Sequence, residues 1–145
     1  MNAIVLNTLT GAVSEYTNHS VNSITPNYAG SAAGLRLLGG ATDAGTPIVA
    51  NVVTGKKLWG SSLKKFLSMV YLSLQCAGRG QLTVYGAVTS WPYIFPAFAT
   101  GEARCPTGRG IRENYLAFGY SNPDGDYFRL DQIEVPVSES KSRRI

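Results

Sequence analysis

The sequence predicts an all-β protein, an antiparallel β-sandwich of jelly-roll type with N-terminal hairpins and one long loop. Three observations predict it. Charged residues make up 15% of the chain against 44% hydrophobic, which argues against a coiled coil or a disordered tail. Sixteen Gly, with abundant Thr, Ser, Val and Tyr and little Glu or Lys, match strands joined by tight turns. Apolar residues also recur at alternate positions in two long stretches, the period of a strand with one buried face.

The chain has 145 residues, within the roughly 100–200 of one domain, so residues 1–145 are expected to form a single β-rich domain. A chain of that length buries roughly 68–70% of its unfolded surface and can hold a core without metals or disulfides. No run approaches the ~18 apolar residues of a membrane span, and MNAIVLNTLTG lacks a basic leader region. The expectation is a soluble, unexported chain with no membrane span.

From the N-terminus, IVLNTLTGAVSEY at 4–16 echoes IVANVVTGKKLWG at 48–60, with matches at Ile4/Ile48, Val5/Val49, Asn7/Asn51, Thr10/Thr54 and Gly11/Gly55. Each copy reads as a strand, a Thr-Gly turn and a second strand. Between them lies a Gly-, Ala-, Thr- and Pro-dense stretch with a short strand near Leu35–Leu38. Residues 61–67 predict a single helical turn capped by Ser61 or Ser62.

Two hairpins carry most of the core. In the first, Phe66, Val70, Leu72, Leu74 and Cys76 share one face, AGRGQ makes the loop, and Leu82, Val84 and Val88 return. Met69, Tyr71 and Tyr85 take the opposite, partly covered face. The second joins Leu116, Phe118 and Tyr120 to Phe128 and Leu130 through NPDGD, where Pro123 and Asp124 suit the corners and Gly125 supplies positive φ. The apolar phase then shifts to Ile133, Val135 and Val137, which predicts a bulge near Asp131–Gln132 or a strand crossing between sheets. The predicted core is Phe66, Val70, Leu72, Leu74, Leu82, Val84, Leu116, Phe118, Phe128, Leu130, Ile133 and Val135. Residues 90–113 carry no clear period and are expected as the long loop.

Chemistry-bearing groups are sparse. His19 has no second histidine beside it and reads as a solvated loop residue. Cys76 and Cys105 fit neither a disulfide framework nor a zinc spacing, and both are expected reduced. Nucleophile-elbow, P-loop and dinucleotide motifs are missing. Glu102 and Glu113 are a remote glycosidase pair, and Asp124 and Asp126 read as turn residues rather than calcium ligands. Hence no catalytic residues, cofactor or metal are expected.

Charge is unevenly spread. Residues 51–112 carry eight basic groups against Glu102 and residues 113–140 six acids against Arg129, so the segments are complementary within the net +4. Such complementarity suits pairing within the chain or between copies. Arg104, Arg109 and Arg112 in a Gly-rich stretch are candidate phosphate or partner contacts; a net charge of +4 makes nucleic acid the less favoured partner. Trp91, Tyr93, Phe95 and Phe98, interleaved with Pro92 and Pro96, could stack on sugar rings, anchor a partner, or fold over the core.

One resemblance adds to this reading. GLRLLGG-ATDAGTPIVANVVTGKKLWGSSLKKFLSMVYLSLQCAGRGQLTVYG resembles a module of tailed-bacteriophage virion proteins, with a Thr-Asp-x-Gly-x-Pro-Ile strand, a Thr-Gly turn, an aromatic-Gly-Ser and a Leu-Lys-Lys lead into a long strand. GRGIRENYLAFGYSNPDGDYFRLDQIEVPVSESKSRRI is similar to that module's end, and the likeness covers about residues 34–145. It implies a structural subunit of the phage particle, part of the tail or head-tail apparatus, located in the virion after assembly in the bacterial host cytoplasm. It implies multiple copies, other virion proteins as partners, and no catalytic residues. The alternatives are a capsid decoration (cement) protein and a carbohydrate-binding module in which Trp91, Tyr93 or Trp59 stacks on host-surface glycan. The inter-subunit contacts are expected from residues 90–113 and the N-terminal region.

Overall fold

The structure is a computed structural model and describes residues 3–16, 21–43, 45–97, 101–108 and 110–141. His19, Phe98, Arg109 and the basic tail after residue 141 lie outside the described residues. The protein is all-β, with antiparallel sheets and no helix among the described residues. It divides into two compact units, Met1–Gly40 and Ala41–Ile145.

The first unit holds β1 (Ala3–Leu6), β2 (Val13–Tyr16), β3 (Ser23–Ile24), β4 (Tyr28–Ser31) and β5 (Gly34–Leu37). β1 and β2 form the hairpin expected of the first copy of the echo. Its turn is built by Asn7, whose side-chain oxygen accepts from the Leu9 and Thr10 amides while Gly11 takes φ 73°. β3, β4 and β5 make a small antiparallel meander. Among the described residues of this unit only Ala29 is buried.

The second unit holds β6 (Thr42–Asp43), β7 (Thr46–Pro47), β8 (Asn51–Val53), β9 (Lys65–Leu67), β10 (Met69–Cys76), β11 (Arg79–Tyr85) and β12 (Ser90–Pro96). It continues with β13 (Gly101–Pro106), β14 (Arg112–Glu113), β15 (Ala117–Ser121), β16 (Phe128–Glu134) and β17 (Val137–Glu139). A first sheet has the order β13-β10-β16, and β14-β9-β17 prolongs it along the chain; a second has the order β12-β11-β15-β8. The inner faces meet in one core of Leu67, Val70, Leu72, Leu74, Cys76, Ala103 and Cys105 against Leu82, Val84, Phe95, Leu116, Phe118 and Tyr120. The chain passes between sheets at β10–β11, β12–β13 and β15–β16, the alternation of a jelly roll.

Several expectations are corrected by this topology. The strand pair joined by AGRGQ is not a hairpin: β10 and β11 lie in different sheets. Gly78, at φ 93°, turns the corner, and a Cβ there would collide with the Asp126 carboxylate. The pair joined by NPDGD is likewise a crossing, from β15 to β16. The real tight hairpin is β11–β12, closed by Gly86 N–H donating to Thr89 C=O, which leaves Val88 at the exposed tip rather than on the core face. The expected loop at 90–113 is largely strand, as β12, β13 and β14. Residues 65–67 form β9 rather than a helical turn. The second copy of the echo makes one edge strand, β8, paired with β15 and not with its own continuation.

Other expectations match. The bulge sits at Asp131, where the β10–β16 register skips one residue between Ser73/Gln132 and Leu74/Leu130. Gly125 adopts φ 77° and donates to Asn122 C=O across the predicted turn. Of the predicted core, Val70, Leu72, Leu74, Leu82, Val84, Leu116 and Phe118 are buried, and Phe128, Leu130, Ile133 and Val135 pack partly buried against them. Phe66 departs from the list. An irregularity at Ser68 shifts the phase, so Leu67 points inward and Phe66 outward.

Gly80 shows how tightly the core closes. A Cβ on it would lie 2.8 Å from the Tyr120 ring and 3.0 Å from Phe95. Gly80→Ala is expected to destabilise by about 1–3 kcal/mol through overpacking, read as a lower urea midpoint with an unchanged slope.

Candidate functional site

Strand alternation decides the fate of the aromatic group. Trp91, Tyr93 and Phe95 are two residues apart on β12, so all three share its inward face. Phe95 is buried, Trp91 and Tyr93 pack half-buried against the core, and the Tyr93 hydroxyl donates to Thr107 C=O at 2.6 Å. Ser90, Pro92, Ile94 and Pro96 face outward instead. Trp91, Tyr93 and Phe95 therefore cover the core, and among the described residues of β12 the outward face carries no aromatic ring.

Arg104 and Arg112 fall on the outer face of the first sheet and its continuation. Arg104 on β13 stands opposite Tyr71 on β10, and Tyr71 stands opposite Glu134 on β16, which puts the three in one cross-strand row. Arg104 also pairs with Glu102 at 3.3 Å on its own strand. Arg112 lies opposite Phe66, with its guanidinium carbon 5.0 Å from the ring centroid in a cation–π contact. Arg104 and Arg112 thus stand on strands, Arg104 opposite Tyr71 and Arg112 over the Phe66 ring. Phe66, Leu67, Ser68 and Ser138 line a shallow depression of about 280 Å³ on this sheet. Sequence reasoning missed Phe66 and Tyr71 as members of this surface, because only the pairing register brings them beside the arginines.

Other candidates have structural partners. Glu113 lies against Gly86 and accepts from the Ala87 amide, while Glu102 sits on β13 beside Arg104; each carboxylate has its own neighbours. Asp124 is held by Arg79 through two hydrogen bonds of 2.7 and 2.8 Å, and the guanidinium keeps its carboxyl below the usual range. Buried Lys65 donates to Ser61 C=O and Leu63 C=O and so closes the loop ahead of β9, a role its sequence position does not disclose. Among the described residues, no group of three His, Cys, Asp or Glu is placed to hold a metal ion.

Cys76 and Cys105 are free and buried. Burial pushes the Cys105 thiol up to about 11 and raises Cys76, whose thiol also meets the Tyr120 hydroxyl. Both raised thiols and the raised Tyr120 phenol ionise more easily when unfolded. Stability is therefore complete below about pH 9 and falls as pH climbs toward 11. Two readings check this: native thiols should resist a thiol reagent near pH 8 and react on unfolding, and the urea midpoint should drop steadily above pH 9.

No family model matches the chain, and no significant likeness is found among curated proteins or solved structures. The fold itself defines the class: an antiparallel β-sandwich with jelly-roll strand order, joined to an apolar β-unit at its N-terminus. No helix among the described residues is long and apolar enough to cross a membrane.

Proposed function

We propose that this chain is a non-enzymatic structural subunit of a tailed-bacteriophage particle, assembled in multiple copies in the tail or head-tail apparatus. The observation that carries the assembly role is the first unit. Nine large hydrophobic residues there are exposed (Ile4, Val5, Leu6, Leu9, Val13, Ile24, Tyr28, Leu35 and Leu37), while residues 1–40 contain only two charged side chains, Glu15 and Arg36. So much exposed apolar surface with so little charge suits an interaction surface. The phage setting is drawn from the sequence resemblance over residues 34–145. The outer face of the first sheet, with Arg104, Tyr71 and Glu134 in one row, is a second surface suited to contact between copies.

Immunogold labelling of purified particles tests the placement. Label at the tail or the head-tail junction is the expected result. Label spread over the capsid would transfer the chain to the decoration role, and unlabelled particles would end the virion reading. Binding of the isolated protein to host polysaccharide, lost in Trp59→Ala, would favour the glycan-binding alternative, since Trp59 keeps 37% of its surface exposed.

A further inference from the structure

A complete jelly roll has eight strands in two sheets. Here the second sheet has four strands and the first only three. The Tyr120 and Phe128 rings meet at 4.8 Å, so β16 lies over β15, and β8 extends the second sheet beyond the point where the first sheet stops. Burial records the same asymmetry. On the opposite edge strand, β13, Ala103 and Cys105 are fully buried. On β16 the core-facing Phe128, Leu130 and Ile133 are only partly covered, and Val52 and Val53 on β8 are exposed. Among the described residues one side of the sandwich stands open, and its edge strand pairs with β10 alone.

The stretch just ahead of β8, where a fourth strand would arise in chain order, is committed elsewhere. Ala41–Pro47 folds back as the β6–β7 hairpin, with the Ile48 amide donating to Ala41 C=O. Asn122 fastens the chain between that hairpin and β8, accepting from the Ala50 amide and donating to Ile48 C=O. In the first unit, by contrast, the large apolar residues of the described strands are exposed. Among the described residues β5 pairs only with β4, and Leu35 and Leu37 keep 75% and 65% of their surface exposed at the same two-residue spacing as Phe128 and Leu130.

We propose that the first sheet is completed by a strand from the N-terminal unit of a second copy of this chain, laid along β16 so that its alternate apolar residues cover Phe128, Leu130 and Ile133. This rests on the assembly role above and names its partner and contact. Main-chain pairing supplies the affinity of such strand addition and alternate side chains its selectivity. The donor suits the site, because residues 1–40 are almost uncharged and the exposed charges of β16, Arg129, Asp131 and Glu134, alternate away from the apolar row. Exchange of identical elements between copies is a low-cost route to an oligomer.

Hydrogen exchange by mass spectrometry on the full chain, across a concentration series with the mass followed by light scattering, tests it. The expected result is an oligomer in which peptides covering 128–134 and 34–37 slow together, by tenfold or more, as the mass rises. Leu35→Asp and Leu37→Asp should lower the mass and release both peptides, while protection persists over β10 and β11 and shows that the core is still folded. An oligomer whose 128–134 peptide exchanges as fast as the monomer's would overturn the strand donation and leave the assembly role standing. In the monomer only the amides that β16 directs at β10 should be protected; protection of the outward amides of 128–134 as well would show that the chain closes its own edge. A chain that stays monomeric at every concentration, with the outward amides of 128–134 unprotected, would remove both the donation and self-assembly.

Discussion

Tyr120→Ala is expected to cost about 3–5 kcal/mol, a large part of the roughly 5–15 kcal/mol that holds a domain of this size. The ring is buried at the centre of the core, packed against Phe95 on its own sheet at 6.4 Å and Phe128 on the other at 4.8 Å. Gly80 is a glycine because this ring fills the space a Cβ would need. Removing it leaves a cavity shared by both sheets, which neither can collapse into without moving a strand. Tyr120→Phe should behave very differently. The buried hydroxyl has no nitrogen or oxygen partner and meets only the Cys76 thiol, so its loss is expected to change stability by less than about 1 kcal/mol. Urea unfolding of the two variants checks the pair, and a Tyr120→Phe loss equal to that of Tyr120→Ala would refute this account.

The second large effect is expected at Asn122. Its side chain accepts from the Ala50 amide at 2.6 Å and donates to Ile48 C=O at 3.3 Å and Asp126 C=O at 2.6 Å. One amide therefore ties the β15–β16 crossing to the chain entering β8. Asn122→Ala strands one donor and two acceptors in part-buried positions and should cost about 3 kcal/mol, given about 1–3 kcal/mol for each unsatisfied group. Asn122→Asp keeps the acceptor but sets a carboxylate against two carbonyl oxygens. That variant should also be destabilised, and it should recover part of the loss at acidic pH, where protonation restores a donor. A midpoint independent of pH in Asn122→Asp would contradict this geometry.

The candidate surface was only partly legible in the residues. Arg104 and Arg112 were singled out, but their aromatic neighbours Tyr71 and Phe66 are more than thirty residues away in sequence and meet them only through strand register. In the sequence Trp91, Tyr93 and Phe95 read as a sugar platform, a partner anchor or a cover for the core, because Pro92 and Pro96 suggest a loop. On β12, an outer strand of its sheet, those prolines are accommodated, and alternation turns the rings inward.

Side-chain alternation and turn chemistry by themselves determined that this is an all-β protein. They also determined which residues of β10, β11 and β15 face the core, the turn at Asn122–Gly125, and the one-residue phase shift that became the bulge at Asp131. All of these are local, written in the period of two and in the φ that a glycine permits. Which strands are neighbours was decided only by the tertiary structure. A strand followed by a short glycine-containing link and another strand reads the same whether the chain folds back within one sheet or bends across to the facing one. Both choices bury the same alternating residues. Between them the deciding terms are long-range: Leu72 and Leu74 must cover Leu82 and Val84 from the opposite sheet, and β10 must pair with β13 and β16 rather than with β11.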